Sequence, residues 1–329
     1  MTYNKIHEMN DTEDDSMKKY GFGADVGGTT IKMGLFETDG TLLEKWEIPT
    51  DTSEKGAHIL QDIAATVHGK MVEKDLTKDM VEGIGIGVPG AVDKDGVVNR
   101  AVNLGWEVVP LAEELERLSG MKVKVGNDAN VAALGENWMG SGKGYNSIVM
   151  VTLGTGIGGG IIIDGKILTG ANGAAGEIGH MIVNEQEIEA CNCGHYGCIE
   201  QYASATGIVR MTKRALATTA EDSTLRSFGE ELSAKDVFDC AKAGDKVACD
   251  VISQVFGMLG ATLAKIGCVL NPDAFVIGGG VSRAGQIIID ALQEPFCSQV
   301  FHASKDTPIV LASLGNDAGI YGAVRMLLS

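Results

Sequence analysis

The sequence predicts an α/β protein with two lobes, each built on a glycine-rich hairpin. The first hairpin reads YGFGADVGGTTIKMGLFETDG, two strand-like apolar runs joined by a turn at Gly27 and Gly28. The pattern recurs in SIVMVTLGTGIGGGIIIDGKILTG, where Thr152 stands 127 residues after Asp25. Strand-like runs alternate with segments of helical periodicity along the rest of the chain. The simplest organisation for this pattern is a duplicated α/β unit with one glycine turn in each half.

The remaining elements of the first half follow from local signals. Apolar residues at helical spacing predict an amphipathic helix over 56–71. The run GIGIGVPG at 83–90 predicts a buried strand that ends in a tight turn. Pro110 and Gly120 bracket a short helix, because proline is favoured at the first helical position and glycine just past the end. MKVKVGNDAN at 121–130 predicts a strand running directly into a helix.

The second half carries a Cys- and His-rich loop at 191–200 and a helix expected after Ser204. Ser233, followed three residues later by Asp236, predicts a capped helix. The other predicted elements are a long helix over 245–270, strands over 274–282 and 308–313, and a final helix from near Asn316.

Net charge limits the partners. The chain has 27 Lys and Arg against 44 Asp and Glu, a formal net charge of −17. Such a field repels nucleic acids and anionic membranes, so neither is expected as a partner. A bound phosphate must therefore be held locally, by backbone N–H groups, a single lysine or a cation.

The termini and cysteines indicate the compartment. The first twenty residues are polar and acidic and lack a signal-peptide core, so residues 1–19 are predicted to be a disordered acidic extension. No apolar run is expected to approach the ~18 residues that span a bilayer. Seven cysteines, an odd number, favour reduced thiols over a disulfide framework. These observations predict a cytoplasmic protein.

Glycine is abundant, with 45 residues against 6 prolines, and the places where it clusters are the candidates for close approach of the backbone to a ligand. Residues 85–90 and 154–159 match GxGxxG, but the second leads into the strand-like run at 161–163, whereas a dinucleotide fingerprint opens a helix. The Walker A pattern is absent from the sequence. The glycine surplus is instead expected to line one cleft, where it would bring bare N–H groups to a polyanion.

In hairpins of the form DVGGTT and TLGTGIGGG, glycine N–H groups and threonine hydroxyls form an anion-binding concavity. Lys32 follows the first turn and adds a cation, and Asp25 precedes it and can hold Mg²⁺ through waters. The predicted nucleotide-binding residues of the turns are Gly27, Gly28, Thr29, Thr30, Thr152, Gly154, Thr155 and Gly156, together with Gly278, Gly279 and Gly280 after a later strand.

Four soft ligands fall within nineteen residues: His180, Cys191, Cys193 and Cys198. Three thiolates and one imidazole suit tetrahedral Zn²⁺ in a closed structural site, which would staple the loop and not catalyse. His195 competes as the fourth ligand but lies inside the loop.

Three carboxylates complete the candidate site. Asp128 stands at a strand-to-helix junction, where it either caps the helix or projects into a cleft. Glu177 and Glu200 flank the metal ligands, and with Asn127 they supply hydrogen-bond acceptors for the vicinal hydroxyls of a polyhydroxy ligand.

Taken together, these motifs resemble the ROK family of sugar kinases and repressors. The resemblance covers residues 20–329 and rests on DVGGT (25–29), VPG (88–90), TLGTGIGGG, EIGH and CNCGHYGC. Within the family, AVNLGW at 101–106 is most similar to the glucokinases of Gram-positive bacteria.

The resemblance implies an actin-like (ribonuclease H-like) fold, in which ATP and sugar bind in a cleft between the lobes. The small lobe would comprise 20–128 and a C-terminal helix at 316–329, and the large lobe 129–315 with the zinc loop. The implied activity is phosphorylation of the 6-hydroxyl of glucose by Mg²⁺·ATP, with Asp128 as general base. An ordinary aspartate pKa near ~4 is no obstacle to this role, because proton transfer can be late in a loose transition state. A homodimer or a tetramer is implied as well. The implied sugar contacts are Asn103, Asn127, Asp128, Glu177, His180 and Glu200.

Three alternatives remain. A sugar-responsive repressor of the family would carry an N-terminal helix-turn-helix domain, and an acidic extension of about twenty residues leaves no room for one. A non-catalytic sugar-binding module would not need Asp128 or the phosphate turns. A kinase of N-acetylmannosamine, N-acetylglucosamine, mannose or fructose stays open, because the choice among hydroxyl patterns depends on pocket shape.

Overall fold

The computed structural model describes residues 18–329, so the predicted extension at 1–19 lies outside the described residues except for Lys18 and Lys19. The strands of the first half are β1 (Tyr20–Val26), β2 (Thr30–Glu37), β3 (Leu42–Pro49), β4 (Val81–Val88), β5 (Ala91–Val92), β6 (Val98–Ala101), β7 (Trp106–Val109) and β8 (Val123–Asn127), and its helices are α1 (Ile59–Glu73) and α2 (Leu111–Ser119). Strands β3-β2-β1-β4-β8 form one sheet, antiparallel from β3 to β1 and parallel from β1 to β8. Strands β5-β6-β7 form a small separate sheet.

The second half repeats this arrangement. Its strands are β9 (Ile148–Leu153), β10 (Ile157–Ile163), β11 (Lys166–Ile167), β12 (Ala274–Gly278) and β13 (Ile309–Leu311). Its helices, including the two that lie between the sheets, are α3 (Asp128–Met139), α4 (Glu200–Ala203), α5 (Ala205–Thr218), α6 (Ala234–Lys242), α7 (Lys246–Leu270), α8 (Gln286–Gln299) and α9 (Ala318–Leu327). The sheet order β11-β10-β9-β12-β13 has the same sequence of antiparallel and parallel pairs as the first sheet. The duplicated two-lobed α/β fold is therefore confirmed.

Helices α3 and α9 pack against each other between the two sheets, α9 on β1 and β4 and α3 on β10. Glycines make this close approach feasible. A Cβ at Gly85, in the glycine-rich run at 83–90, would collide with the carbonyl oxygen of Ala323 in α9, and one at Gly322 with that of Val131. The expectation that the glycine surplus lines one cleft is therefore wrong in part, because some of these glycines are needed for helix packing.

Glu136 ties helix α3 to the segment that precedes α9. This α3 side chain is fully buried. Its Oε1 accepts a hydrogen bond from the backbone N–H of Leu314 at 2.7 Å, and its Oε2 accepts from those of Ser313 at 3.1 Å and Ser141 at 2.9 Å. A buried carboxylate with several backbone donors is well compensated for its lost hydration. The start of α9 is thereby held on α3.

Several local predictions are confirmed. The helix expected after Ser204 is α5, and the predicted cap at Ser233 forms a complete capping box with Asp236 on α6. Ser204 also caps α5, through the N–H of Gly207, and this cap was not predicted. The strand predicted over 274–282 ends at Gly278, because the backbone turns at Gly279 (φ +83°) into a short 3₁₀ segment. Helix α8, which carries Pro295 in its interior, and the small β5-β6-β7 sheet have no counterpart in the prediction.

The expectation that no apolar run is long enough to span a bilayer is wrong for helix α7. This helix is long and apolar enough to meet the length and composition requirements of a membrane span. Most of that stretch is buried, however, by packing against α5, α6 and α8. This burial is typical of the central helix of a large lobe, and it explains why the helix is hydrophobic on more than one face.

Candidate active site

Asn127 and Asp128, adjacent residues at the N-terminus of α3, have different roles. Asn127 is the cap, since its Oδ1 accepts hydrogen bonds from the N–H groups of Ala129 at 3.1 Å and Asn130 at 3.2 Å. Asp128 is the first helical residue, with Oδ1 at 2.8 Å from the Ala129 nitrogen, and it lines the cavity between the two sheets. Of the two roles considered for Asp128, the structure supports projection into the cleft.

The surroundings of Asp128 disfavour its ionised form. Its pKa is raised to about 6, chiefly by burial and to a smaller extent by the nearby carboxylates of Asp25 and Glu177, against the opposing effect of the Ala129 N–H. This pKa lies well above the ordinary aspartate value of ~4, at which proton transfer late in the transition state would have been required. A carboxylate with a pKa of about 6 is a stronger base than a free one, and it is still mostly ionised at neutral pH.

The cavity beside Asp128 measures about 480 Å³ and lies between the glycine hairpins of the two halves. The predicted residues that line it are Asp25, Lys32, Asp128, Thr152, Gly154, Gly156, Glu200 and Gly279. Lys32 Nζ lies 3.6 Å from Asp25 Oδ2. Burial raises the pKa of Asp25, and the charge of Lys32 partly offsets that shift.

The first glycine turn is exposed and lies at the edge of this region. Gly27 donates its N–H to the carbonyl oxygen of Thr30 at 3.0 Å. Thr50, which was not predicted, supports the turn from outside: its hydroxyl donates to the Gly27 oxygen at 2.7 Å and its N–H to the Thr29 oxygen at 2.9 Å. The residues Gly27 to Thr30, among them Gly28, line neither this cavity nor the one described next.

A second cavity, of about 670 Å³, meets the first at Gly154. Thr155 and Gly280 also line it, as predicted for nucleotide-binding residues. Its opposite wall comes from α6 and the turn before α8, and these lining residues include Ser233, Lys235, Phe238, Lys242 and Arg283. Gly278 is the last residue of β12 and lines neither cavity; a Cβ there would lie 2.6 Å from Met150 Cε.

The four predicted metal ligands converge. One donor atom from each of His180, Cys191, Cys193 and Cys198 lies within 4.8 Å of all the others. Cys191 Sγ is 3.8 Å from His180 Nδ1, and Cys193 Sγ is 3.6 Å from Cys198 Sγ. All seven cysteines are free thiols. This cluster can hold a metal ion, and His195 lies outside it although its Nδ1 is 3.6 Å from Cys193 Sγ.

The predicted sugar contacts of the large lobe adjoin the metal ligands. Glu177 Oε2 lies 3.9 Å from His180 Nε2, the ring nitrogen that points away from the cluster. Glu200 Oε1 lies 3.7 Å from Cys191 Sγ, and its Oε2 accepts the N–H of Ile157 at 2.8 Å. The segment 177–200 thus brings both carboxylates near Asp128, since Glu177 is one of the charges that raise the pKa of Asp128 and Glu200 lines the same cavity as Asp128.

The two asparagines are placed differently. Asn127 uses Oδ1 for capping and donates from Nδ2 to the carbonyl oxygen of Gly90 at 3.1 Å. Asn103 is exposed on the turn that precedes β7, with its Cβ 3.9 Å from the position a Cβ would take at Gly28. Asn103 therefore stands beside the first glycine turn.

Some residues of the cavities were missed by sequence reasoning. Gly315, Asn316 and Gly319 line the cavity beside Asp128 from the start of α9. The Gly-Asn-Asp turn after a predicted strand was an available signal, parallel to the glycines after β12. The α6 residues carried no signal, because an amphipathic helix looks the same whether or not its ends border a cavity.

Comparison with known proteins extends this description. A sequence model of the ROK family matches residues 21–329. The glucokinase of Halalkalibacterium halodurans is 42% identical over 304 residues, covering 91% of this chain and 92% of that protein. The glucokinase of Thermotoga maritima is 38% identical over 310 residues, covering 93% and 96%. The structure of a ROK family glucokinase from Streptomyces griseus in complex with glucose and AMPPNP is 36% identical, with a TM-score of 0.74 and coverage of 93% and 98%.

Proposed function

The chain belongs to the ROK family, and on that basis we propose that it is a glucokinase with Asp128 as its general base. It catalyses the ATP-dependent phosphorylation of glucose; proteins named glucokinase are 36–42% identical to it over more than nine-tenths of its length. The observation that carries the assignment of the base is the position of Asp128, a desolvated carboxylate at the helix start that faces the cavity between the two hairpins.

In the proposed reaction, Asp128 accepts the proton of the glucose 6-hydroxyl. The 6-oxygen forms a bond to the γ-phosphorus of ATP, the bond from that phosphorus to the β–γ bridging oxygen breaks, and ADP leaves with the electron pair. Phosphoryl transfer of this kind depends mainly on positioning and charge stabilisation. The raised pKa of Asp128 suits it to take a proton at neutral pH.

We assign the phosphates to the cavity beside Asp128 and the nucleoside to the adjoining cavity bordered by α6. Lys32 offers a cation in a protein whose net charge is −17, and the glycine turns offer backbone N–H groups. Asp25 would hold the Mg²⁺ that accompanies ATP, through waters, and that ion would neutralise phosphate charge. The roles of Gly27 to Thr30 and of Gly278 rest on the family resemblance, since those residues border neither cavity.

For the sugar, we propose contacts from Asn103, Asn127, Glu177, His180 and Glu200. The two glutamates offer acceptor oxygens to vicinal hydroxyls, and His180 offers Nε2. His180, Cys191, Cys193 and Cys198 would hold Zn²⁺, a donor set that matches a closed structural site. Because the ion would bind Nδ1 of His180, it would fix the ring that presents Nε2 to the sugar.

We also propose that the enzyme works in the cytoplasm, as a homodimer or a tetramer. The compartment is supported by the seven free thiols, three of which must stay reduced to bind a metal. The assembly rests on the family resemblance.

Substrate preference tests the proposed function. With ATP as donor, we expect glucose to give a kcat/KM at least about tenfold above that of N-acetylglucosamine, N-acetylmannosamine, mannose or fructose, since a pocket built around hydroxyl contacts rejects analogues that leave its polar groups unpaired. A coupled assay of ADP release over this panel measures it. A higher kcat/KM for another hexose would reassign the substrate, and no phosphorylation of any sugar would contradict the kinase assignment.

The pH profile tests the state of Asp128. Its pKa of about 6 predicts that kcat/KM for glucose, at saturating Mg²⁺·ATP, is level above about pH 7 and falls below about pH 6, approaching a tenfold loss per pH unit. The sign follows from the role, because the general base must be deprotonated. A limb centred near pH 4 would show that burial does not control this carboxylate.

A further inference from the structure

We propose that Thr206 is a positioning residue for the glycine turn of the second hairpin, and through it for the phosphates of ATP. Thr206 is the second residue of α5 and lies outside the cavity beside Asp128. Its hydroxyl donates to the carbonyl oxygen of Thr155 at 2.8 Å. The inference rests on the proposed function, since it assumes that this turn binds nucleotide.

The turn at 154–157 has few bonds of its own. The N–H of Gly154 donates to the Gly156 oxygen at 2.9 Å. Its glycines leave the backbone free to adopt several conformations, so an open phosphate-binding shape must be imposed by neighbours. An unfixed turn would lose part of its binding energy in becoming ordered around the ligand.

The segment that follows the metal ligands supplies this constraint. Glu200 Oε2 accepts the N–H of Ile157 at 2.8 Å, the N–H of Ala205 donates to the Gly154 oxygen at 2.8 Å, and Thr206 holds the Thr155 oxygen between them. Three successive points of the turn are therefore fixed by one short stretch, 200–206. A Cβ at Gly156 would collide with Glu200 Oε2, so the turn and this carboxylate are in close contact.

The stretch is itself rigid. Ser204 is fully buried and caps α5 by accepting the Gly207 N–H at 3.0 Å. Its hydroxyl also lies 3.0 Å from that of Thr206. The single proton of the Thr206 hydroxyl goes to the Thr155 oxygen, so this hydroxyl accepts from that of Ser204. Its rotamer is therefore set by the helix cap and not by the ligand.

Glu200 is also a proposed sugar contact, and Ala205 acts through its backbone, so Thr206 is the member of the set that can be altered separately. Thr206→Val keeps the side-chain shape and removes the hydroxyl. One lost hydrogen bond of this kind corresponds to about a 3- to 10-fold effect. We expect that rise in the KM for ATP and in the Kd for AMPPNP measured by calorimetry without sugar, with the KM for glucose changed less than twofold.

Two further variants act as controls. Thr206→Ser retains the hydroxyl and should restore the wild-type KM for ATP. Thr218→Val makes the same chemical change at the far end of α5, where the hydroxyl donates to the Arg214 oxygen, and should leave both KM values unchanged. Zinc content should be alike in all four proteins. The thermal midpoint of Thr206→Val should fall, because the buried Ser204 hydroxyl loses its acceptor, and the kinetics are therefore compared well below that midpoint.

The outcomes separate the two proposals. If wild-type protein phosphorylates glucose and Thr206→Val has an unchanged KM for ATP, or raises both KM values equally, the positioning role is wrong. If the wild type binds AMPPNP but phosphorylates no sugar, the kinase assignment fails while the Kd comparison still tests Thr206.

Discussion

Replacing Asp128 by Asn should lower kcat for glucose phosphorylation by about three orders of magnitude without unfolding the protein. General-base catalysis contributes about 10²–10⁴-fold, and an amide cannot take the proton of the attacking hydroxyl. The helix start should survive the change, because Asn127 and not Asp128 provides the cap. The amide oxygen of Asn at 128 can still accept the N–H of Ala129. Steady-state kinetics with glucose and ATP measure the loss.

Stability provides an independent readout for the same variant. The pKa of Asp128 is about 6 in the folded protein against 3.8 ordinarily, so the native state binds this proton more tightly than the unfolded chain does. The contribution of Asp128 to the free energy of unfolding therefore falls as pH rises from about 4 to about 6, and its ionised carboxylate costs about 2–3 kcal/mol above that range. Asn carries no such cost. We expect the thermal midpoint of Asp128→Asn to equal or exceed that of the wild type at pH 8, with a smaller difference at pH 4.5.

The matched control is Asp290→Asn, an exposed change on α8 at an aspartate that accepts a hydrogen bond from Gln286. It should alter neither kcat nor the pH dependence of stability. Residual turnover of Asp128→Asn within tenfold of the wild type would refute the general-base role. A lower midpoint at pH 8 would instead show that the carboxylate stabilises the helix start.

The fold was largely predictable because its signals are local. Each hairpin is a pair of apolar runs around a glycine turn, and the cap at Ser233 depends on Asp236, three positions away. Glycine itself was ambiguous, since the same residue serves an exposed turn at Gly28 and close helix packing at Gly322. Sequence spacing does not distinguish the two, because the partner that excludes a Cβ lies far away in the chain.

In the candidate site, too, features set by neighbouring residues were predictable and features set by tertiary packing were not. The metal ligands were predictable as a set because soft ligand atoms at such density have few other uses. Which of Asn127 and Asp128 caps α3 was not predictable, because both residue types cap helices well. Nor was the raised pKa of Asp128, which depends on burial and on Asp25, a residue of another strand. The wall formed by α6 depends on tertiary packing alone.

Removing one metal ligand should greatly lower both the zinc content and the affinity for glucose. We expect Cys193→Ala to reduce bound zinc from about one ion per chain to nearly none, because three remaining donors no longer close a tetrahedral site. The KM for glucose should rise at least about tenfold, since the ion would orient His180, and loss of such orientation typically costs 10–100-fold. Elemental analysis, glucose kinetics and thermal unfolding measure the three consequences.

The expected loss of stability is limited because the chain just before the 191–200 loop is bound to α5 without a metal. Glu187 is buried and binds Arg214 through both carboxylate oxygens, at 2.9 and 3.0 Å, while the Tyr202 hydroxyl donates to it at 2.7 Å. Hydrogen bonding to Arg214 is the main reason that the pKa of Glu187 lies well below its usual value. This cluster fixes the beginning of the loop to α5 without a metal. We therefore expect Cys193→Ala to loosen 191–198 and to lower the thermal midpoint while the rest of the large lobe stays folded.

The control is Cys268→Ala, which removes an exposed thiol from α7 outside the cluster and should keep zinc, stability and glucose kinetics at wild-type levels. Treatment of the wild type with a chelator should reproduce the Cys193→Ala phenotype, and added Zn²⁺ should reverse it in the wild type alone. Metal-free protein with an unchanged KM for glucose would contradict the proposed link between the ion and the sugar site. Because His180 belongs to both, its Nδ1 toward the cysteines and its Nε2 toward Glu177, metal content and glucose affinity should be lost together.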